Sequence, residues 1–381
     1  MSQDNFIPII IGNCNPFRII ARDIDKWNPS LDEINTLSYD YVKLNRNSTA
    51  LDVNIKPFSL IVGFDGSLIL PCIPPYNTKE GAVDLFNRFL GILLIGGIFS
   101  EAVIPDNVSY GHMIHEGYNY IDGGGVGLIA NFHRSIRLKT VSNFDAIQLI
   151  DPIIITIDEL KESYFQGWKV YKKLTHLSPN ILLEGVSNYV SSNWAQSLIL
   201  IWTSIEQLIN QIWEEKIIVS DISKSRRTFL NDFRTWTAAA KIETLFLTGY
   251  LKAETYELIN NARKVRNNFM HKTEIIHKES VDFALNALFQ LISLITSNFS
   301  ETNNFDNILN IIQKHQRGIL FHHATQEGWD NVKYWRYLPP LPGSKEWGDK
   351  PFEVIEDLKL RQLYINLHRL CKNTALYLHL V

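Results

Sequence analysis

The chain has 381 residues and a mass of 43.9 kDa, more than one hydrophobic core usually organises, so two or three domains are expected. At 45% hydrophobic and 20% charged it has a globular composition, and a net charge of −3 with a pI near 6.4 excludes a uniformly basic coat, so any nucleic-acid contact has to be local. Its three cysteines, Cys14, Cys72 and Cys371, lie too far apart for a disulfide framework or a zinc cluster and suit a reducing cytoplasm.

The opening MSQDNFIPII has no basic segment followed by an apolar core and a small-residue cleavage site, so no signal peptide is expected. Phe58 to Val62 and Ser67 to Cys72, around Gly63-Phe64-Asp65-Gly66, predict a β-hairpin that Pro71, Pro74 and Pro75 terminate. Thr78-Lys79-Glu80 opens a helix expected to run to about Ala102. The apolar run Phe89 to Phe99 within it is about half the length that crosses a bilayer, and it reads as buried rather than membrane-spanning. Between Pro105 and Asp151, strand-like pieces fall at Ile136 to Val141 and Ala146 to Ile150. Residues 1–155 are therefore taken as one α+β domain.

From Asp158 the apolar period becomes helical. The strongest helix is Ser192 to Glu215, followed by Phe229–Phe233, Ala238–Leu247, Ala253–Asn268 and Ser280–Ser297. Residues 156–300 read as an all-helical domain. Residues 301–381 read as a helical extension interrupted by a proline-rich loop from Tyr337 to Lys350. The fold class expected is α+β overall.

Three constellations carry chemistry. Glu206 falls on the helical wheel between Trp202, Ile209 and Trp213, inside an apolar arc, and a carboxylate there has to be paired or neutralised. It is either a buried ion pair that fixes packing or an acid that orients a catalytic Arg or His. The segment Ala262 to Glu274, ARKVRNNFMHKTE, holds Arg266, Asn267 and His271. The Arg-to-His spacing recurs by chance, as Arg317 to His322 and the looser Arg361 to His368 show, but only at 266 does Asn follow the Arg. Asn267-Asn268 predict that the helix ends there, turning His271 back toward Arg266. Third, Ser220 to Lys272 contains ten Lys or Arg against five Asp or Glu. Lys224, Arg226, Arg227, Lys264 and Lys272 are candidates for holding phosphates, or simply a solvated face.

Two rival patterns are weaker. Gly125-Val126-Gly127-Leu128-Ile129-Ala130 has the letters of a dinucleotide fingerprint without a βαβ unit around it. His112, His115 and Glu116 would be metal ligands if they shared a helical turn, but they are bracketed by Gly111 and Gly117 and lack further ligands. His322-His323 reads as structural.

Arg266-Asn267, three variable residues and His271, near the junction of two late helices and behind an inward Glu206, resemble the HEPN superfamily, most closely its Apea-like branch, over about residues 180–300. Thr273 stands where the HEPN toxins that pair with nucleotidyltransferases carry Tyr. The resemblance implies a metal-independent, cofactor-free endoribonuclease of the cytoplasm, acting in antiviral defence or a toxin-like stress response, with a site shared across a homodimer. In it His271 would be the acid/base, Arg266 the phosphate stabiliser, Asn267 a positioning amide and Glu206 a supporting carboxylate. RNA, a second copy of the chain and a regulatory partner or ligand for the N-terminal domain are the partners implied, and a membrane is not. The alternative is a non-catalytic HEPN scaffold that binds RNA, nucleotide or protein through the same groove.

Overall fold

Three consecutive isoleucines, Ile9, Ile10 and Ile11, alternate between the two faces of strand β1 (Phe6–Gly12), and all three are buried, so this strand lies at the centre of a sheet covered on both sides. In the computed structural model, residues 6–22, 27–39, 44–114, 117–123, 125–140, 143–218, 222–272, 274–296 and 305–316 are described, the backbone alone at 119–123, 143–145, 147, 305 and 306. The sheet is antiparallel throughout, in the order β3 (Asn47–Leu51), β4 (Leu60–Gly63), β5 (Leu68–Pro71), β1, β6 (Val108–Ile114), β7 (Asn119–Gly123). The expected hairpin is β4–β5. A separate parallel pair joins β2 (Arg18–Ala21) to β8 (Ile153–Thr156).

Helix α2 (Lys79–Ile95) covers one face of the sheet. Thr78 caps it by accepting from the Gly81 amide, and it stops at Gly96-Gly97, where Gly97 takes a left-handed φ of 101°. It therefore ends well before Ala102. Helices α5 (Ile157–Tyr171) and α6 (Pro179–Val190) pack on α2, followed by α7 (Trp194–Lys216), α8 (Lys224–Leu230), α9 (Ala238–Leu247), α10 (Ala253–Lys272), α11 (Lys278–Thr296) and α12 (Phe305–His315). The α+β class expected from the sequence is the one observed. Among the described residues no helix is long and apolar enough to cross a membrane.

The expected boundary near residue 155 does not separate two cores. A single apolar cluster runs from Ile10 and Leu70 of the sheet through Phe86 and Phe89 of α2 to Ile205 of α7 and Leu288 of α11, and the described residues all belong to one compact unit, Met1–Arg317. The contact of α2 with α5 is close enough to exclude a side chain: a Cβ on Gly167 of α5 would overlap the Ile92 carbonyl oxygen of α2. Gly167→Ala should accordingly lower stability by about 1–3 kcal/mol in urea unfolding. An unchanged midpoint would mean that the two helices separate freely.

The two strands expected at Ile136–Val141 and Ala146–Ile150 are helices, α3 (Leu128–Leu138) and α4 (Asn143–Ile150), and a short α1 (Leu31–Asn35) precedes them in the chain. The inward face of α3 is Ala130, Phe132, His133, Ile136 and Arg137, a helical spacing in which two members are polar. The helix Phe229–Phe233 is likewise displaced: α8 ends at Leu230, and Phe233 lies in the turns beyond it.

Candidate functional site

Helix α10 does not break at Asn267-Asn268. It continues to Lys272, so Arg266 and His271, five residues apart, project about 140° from each other around its axis. The buried residues Thr255, Ile259 and Ala262 mark the inward stripe of α10, and Arg266, four residues on, continues it. Arg266 is half-buried, and its Nη1 donates to Asn267 Oδ1 at 3.1 Å; His271 faces solvent. The helix survives the two asparagines because this same inward face is fixed by packing: Leu258, Val265 and Phe269 rest on the main core, and Thr255 Oγ1 donates to Gln290 Oε1 of α11 at 2.7 Å. Yet from Arg263 to Lys272 no side chain is fully buried, and Met270 and, beyond the helix, Ile275 are exposed.

Glu206 sits at the edge of the buried arc of α7, not in its middle. Ser197, Ser204 and Gln211 are buried on the far side, which the apolar letters alone do not reveal, and they move the centre of the arc away from Glu206. Ser197 donates to the Gly185 carbonyl at 2.8 Å, Ser204 to the Leu200 carbonyl at 3.2 Å, and Gln211 Nε2 to the Lys173 carbonyl at 2.6 Å, so each is satisfied where it lies. Glu206 is half-buried and makes no ion pair with Arg266 or Arg263; Arg263 is held instead by Asn260 Oδ1, at 2.7 Å from its Nη2.

Lys224, Arg226 and Arg227 project from α8 into solvent, and their side chains take no hydrogen bond or ion pair from any described residue. Lys264 and Lys272 are exposed on α10. The basic pattern of SKSRRTFLNDFRTW is interleaved with aromatics. Phe229 and Phe233 are exposed, the latter at 76%, and the Arg234 guanidinium lies 5.9 Å from the Phe233 ring centre. Their signal was present in the alternation of Arg and Phe.

The rival patterns do not form sites. His112 lies on β6, an extended strand, so a shared helical turn with its neighbours is excluded; among the described residues no group of three His, Cys, Asp or Glu could hold a metal ion. The Gly125–Gly127 loop follows an antiparallel edge strand, and the Gly127 amide donates to the Asp106 carbonyl at 2.9 Å instead of opening onto a phosphate. His115, Glu116, Thr273, Cys371, the Arg317/His322 and Arg361/His368 pairs, His322-His323 and the 337–350 loop fall outside the described residues.

The densest polar cluster was not anticipated at all. Asp65, in the β4–β5 turn, is 1% exposed; its Oδ2 accepts from Arg137 Nε at 2.6 Å and lies 2.9 Å from His133 Nδ1, and its Oδ1 accepts from the Ser67 hydroxyl at 2.6 Å. His133 Nε2 donates to the Cys14 carbonyl at 2.9 Å, and Arg137 Nη2 donates to Asn13 Oδ1 at 3.0 Å. Burial alone would raise the Asp65 carboxyl, but the Arg137 guanidinium, the His133 ring and the Ser67 hydroxyl outweigh it and hold it well below the usual carboxylate range. The Cys14 thiol beside this cluster is pushed up to about 12, chiefly by burial, and is inert as a nucleophile. The cluster ties α3 to the segment that follows β1 and to the hairpin, and it is sealed from solvent. Comparison with protein-family models, with curated proteins and with solved structures finds no match to this chain.

Proposed function

We propose that the protein is a metal-independent endoribonuclease of the HEPN type, cutting single-stranded RNA at a site that two copies complete together, in antiviral defence or a toxin-like response. The observation that carries this reading is the half-covered end of α10: Arg266 stands on its inward stripe with Asn267 as its hydrogen-bond partner among the described residues, and no side chain from Arg263 to Lys272 is fully buried. A helix end left half-covered by its own chain is suited to a twofold contact, and exposed Met270 and Ile275 supply apolar surface for it. With α10 straight, one chain directs Arg266 and His271 apart, so the phosphate-stabilising cation and the proton-transfer group for one scissile bond come from different copies.

RNA brings its own nucleophile, the 2′-hydroxyl. Histidine removes or returns protons near neutral pH, and arginine stabilises the charge that develops on the phosphorane. The basic and aromatic surface of Lys224, Arg226, Arg227, Phe229 and Phe233 suits unpaired bases, which stack on exposed rings beside phosphate-binding cations. The continuous course of α10 also favours the second reading, a scaffold that binds RNA without cutting it. Full-length protein incubated with single-stranded RNA in EDTA should yield fragments ending in 2′,3′-cyclic phosphate and 5′-hydroxyl. RNA that is bound but remains whole would establish the scaffold, and a strict magnesium requirement would overturn the proposed chemistry.

A further inference from the structure

A cleft of about 330 Å3 opens between the chain that leaves β3, the middle of α2 and helix α5, a size within the range of small-molecule sites. One wall is a column of rings. Phe89 of α2 stacks on Tyr164 of α5 with centroids 4.9 Å apart and planes 27° apart, and Tyr164 stacks in turn on Trp168 at 6.4 Å and 21°. Tyr76 completes the aromatic lining.

Two cations, Arg88 and Lys56, share this lining, both exposed to solvent, and neither takes a hydrogen bond or ion pair from any described residue. For Arg88 this needs a reason, because Asp84 lies four residues earlier on α2, where an acid and an arginine ordinarily pair. The Asp84 carboxylate is engaged elsewhere: its Oδ1 accepts from Asn180 Nδ2 of α6 at 2.7 Å. Asp52, in the segment that follows β3, is similarly turned into its own loop, its Oδ1 accepting from the Asn54 amide at 2.9 Å. The cleft thus joins an aromatic wall to two cationic side chains that form no ion pair with any described residue.

We infer that this cleft binds a small organic anion built on a planar ring, with the ring against Trp168 and Tyr164 and the anionic group on Arg88 and Lys56. A nucleoside monophosphate satisfies both halves and is the occupant to which the proposal commits; an aromatic carboxylate has the same chemistry from another source. The inference stands on residues of α2, α5 and the segment that follows β3, and does not depend on the ribonuclease reading.

Isothermal titration calorimetry of the full-length protein with AMP tests it, with adenosine and inorganic phosphate as the separate halves and indole-3-acetate as the carboxylate. AMP should bind, and each half alone should bind at least about tenfold more weakly, the size of one base-stacking contact. Arg88→Gln and Trp168→Ala should each raise the dissociation constant for AMP by a similar factor, whereas Trp168→Phe, which keeps a ring, should lose less. Thermal melting of each variant separates lost binding from lost folding. Tighter binding of indole-3-acetate than of AMP, with the same dependence on Arg88 and Trp168, would keep the site and its chemistry but overturn the nucleotide as occupant. No binding of either compound at ~1 mM, or AMP binding undiminished in both Arg88→Gln and Trp168→Ala, would overturn the site itself.

Discussion

Arg266→Ala and His271→Ala should each lower RNA cleavage by about 10²–10³-fold, the usual loss on removing a general acid or base or a charge-stabilising group. Neither should unfold the protein, since His271 is exposed and Arg266 is half-buried with Asn267 as its one hydrogen-bond partner among the described residues. The same two variants report on assembly. If each site takes Arg266 from one copy and His271 from the other, a mixed dimer retains one intact site, so a freely exchanging equal mixture should regain about a quarter of wild-type activity. Mixing should restore nothing if one chain supplies both groups. Full cleavage by either single variant would remove the catalytic assignment, and the wild-type EDTA experiment would then decide whether any cleavage needs a different site.

Asp65→Asn should cost about 3–5 kcal/mol at pH 7, the range for removing one partner of a buried ion pair. The replacement keeps the shape and an acceptor for Ser67, but it leaves the Arg137 guanidinium, 5% exposed, without its counter-charge. The pH dependence has a fixed sign. The Asp65 carboxyl is held below its unfolded value, near 4, so its contribution is complete above that pH and is lost as the pH falls through the lower folded value. The stability gap between wild type and Asp65→Asn should therefore be widest at neutral pH and narrow on acidification below about pH 4. Urea unfolding at a series of pH values measures it. A gap under about 1 kcal/mol at pH 7 would mean that water reaches the cluster.

Local pattern in the sequence was enough to place the β4–β5 hairpin, the start of α2 at Thr78, the long helix α7 and α9 at Ala238–Leu247, because each is specified by turn residues, a cap or an apolar period within a few neighbouring positions. It was also enough to single out Arg266, Asn267 and His271 as unusual, and to locate the local excess of positive charge around Arg226 and Arg227. Only tertiary structure decided the rest, through contacts between elements that no local pattern connects. His133 and Arg137 interrupt the apolar stripe of α3 until Asp65, 68 and 72 residues earlier, is seen to satisfy them, and so the helix read as a strand. Ser197, Ser204 and Gln211 widen the buried arc of α7 and shift Glu206 to its edge. Packing of Leu258, Val265 and Phe269 on the core carries α10 through two poor helix formers and turns His271 away from Arg266. A sequence states which residues prefer water, but the chain folded around them decides which of them can leave it, since burial of a polar group is set by the hydrogen-bond partners that distant segments bring.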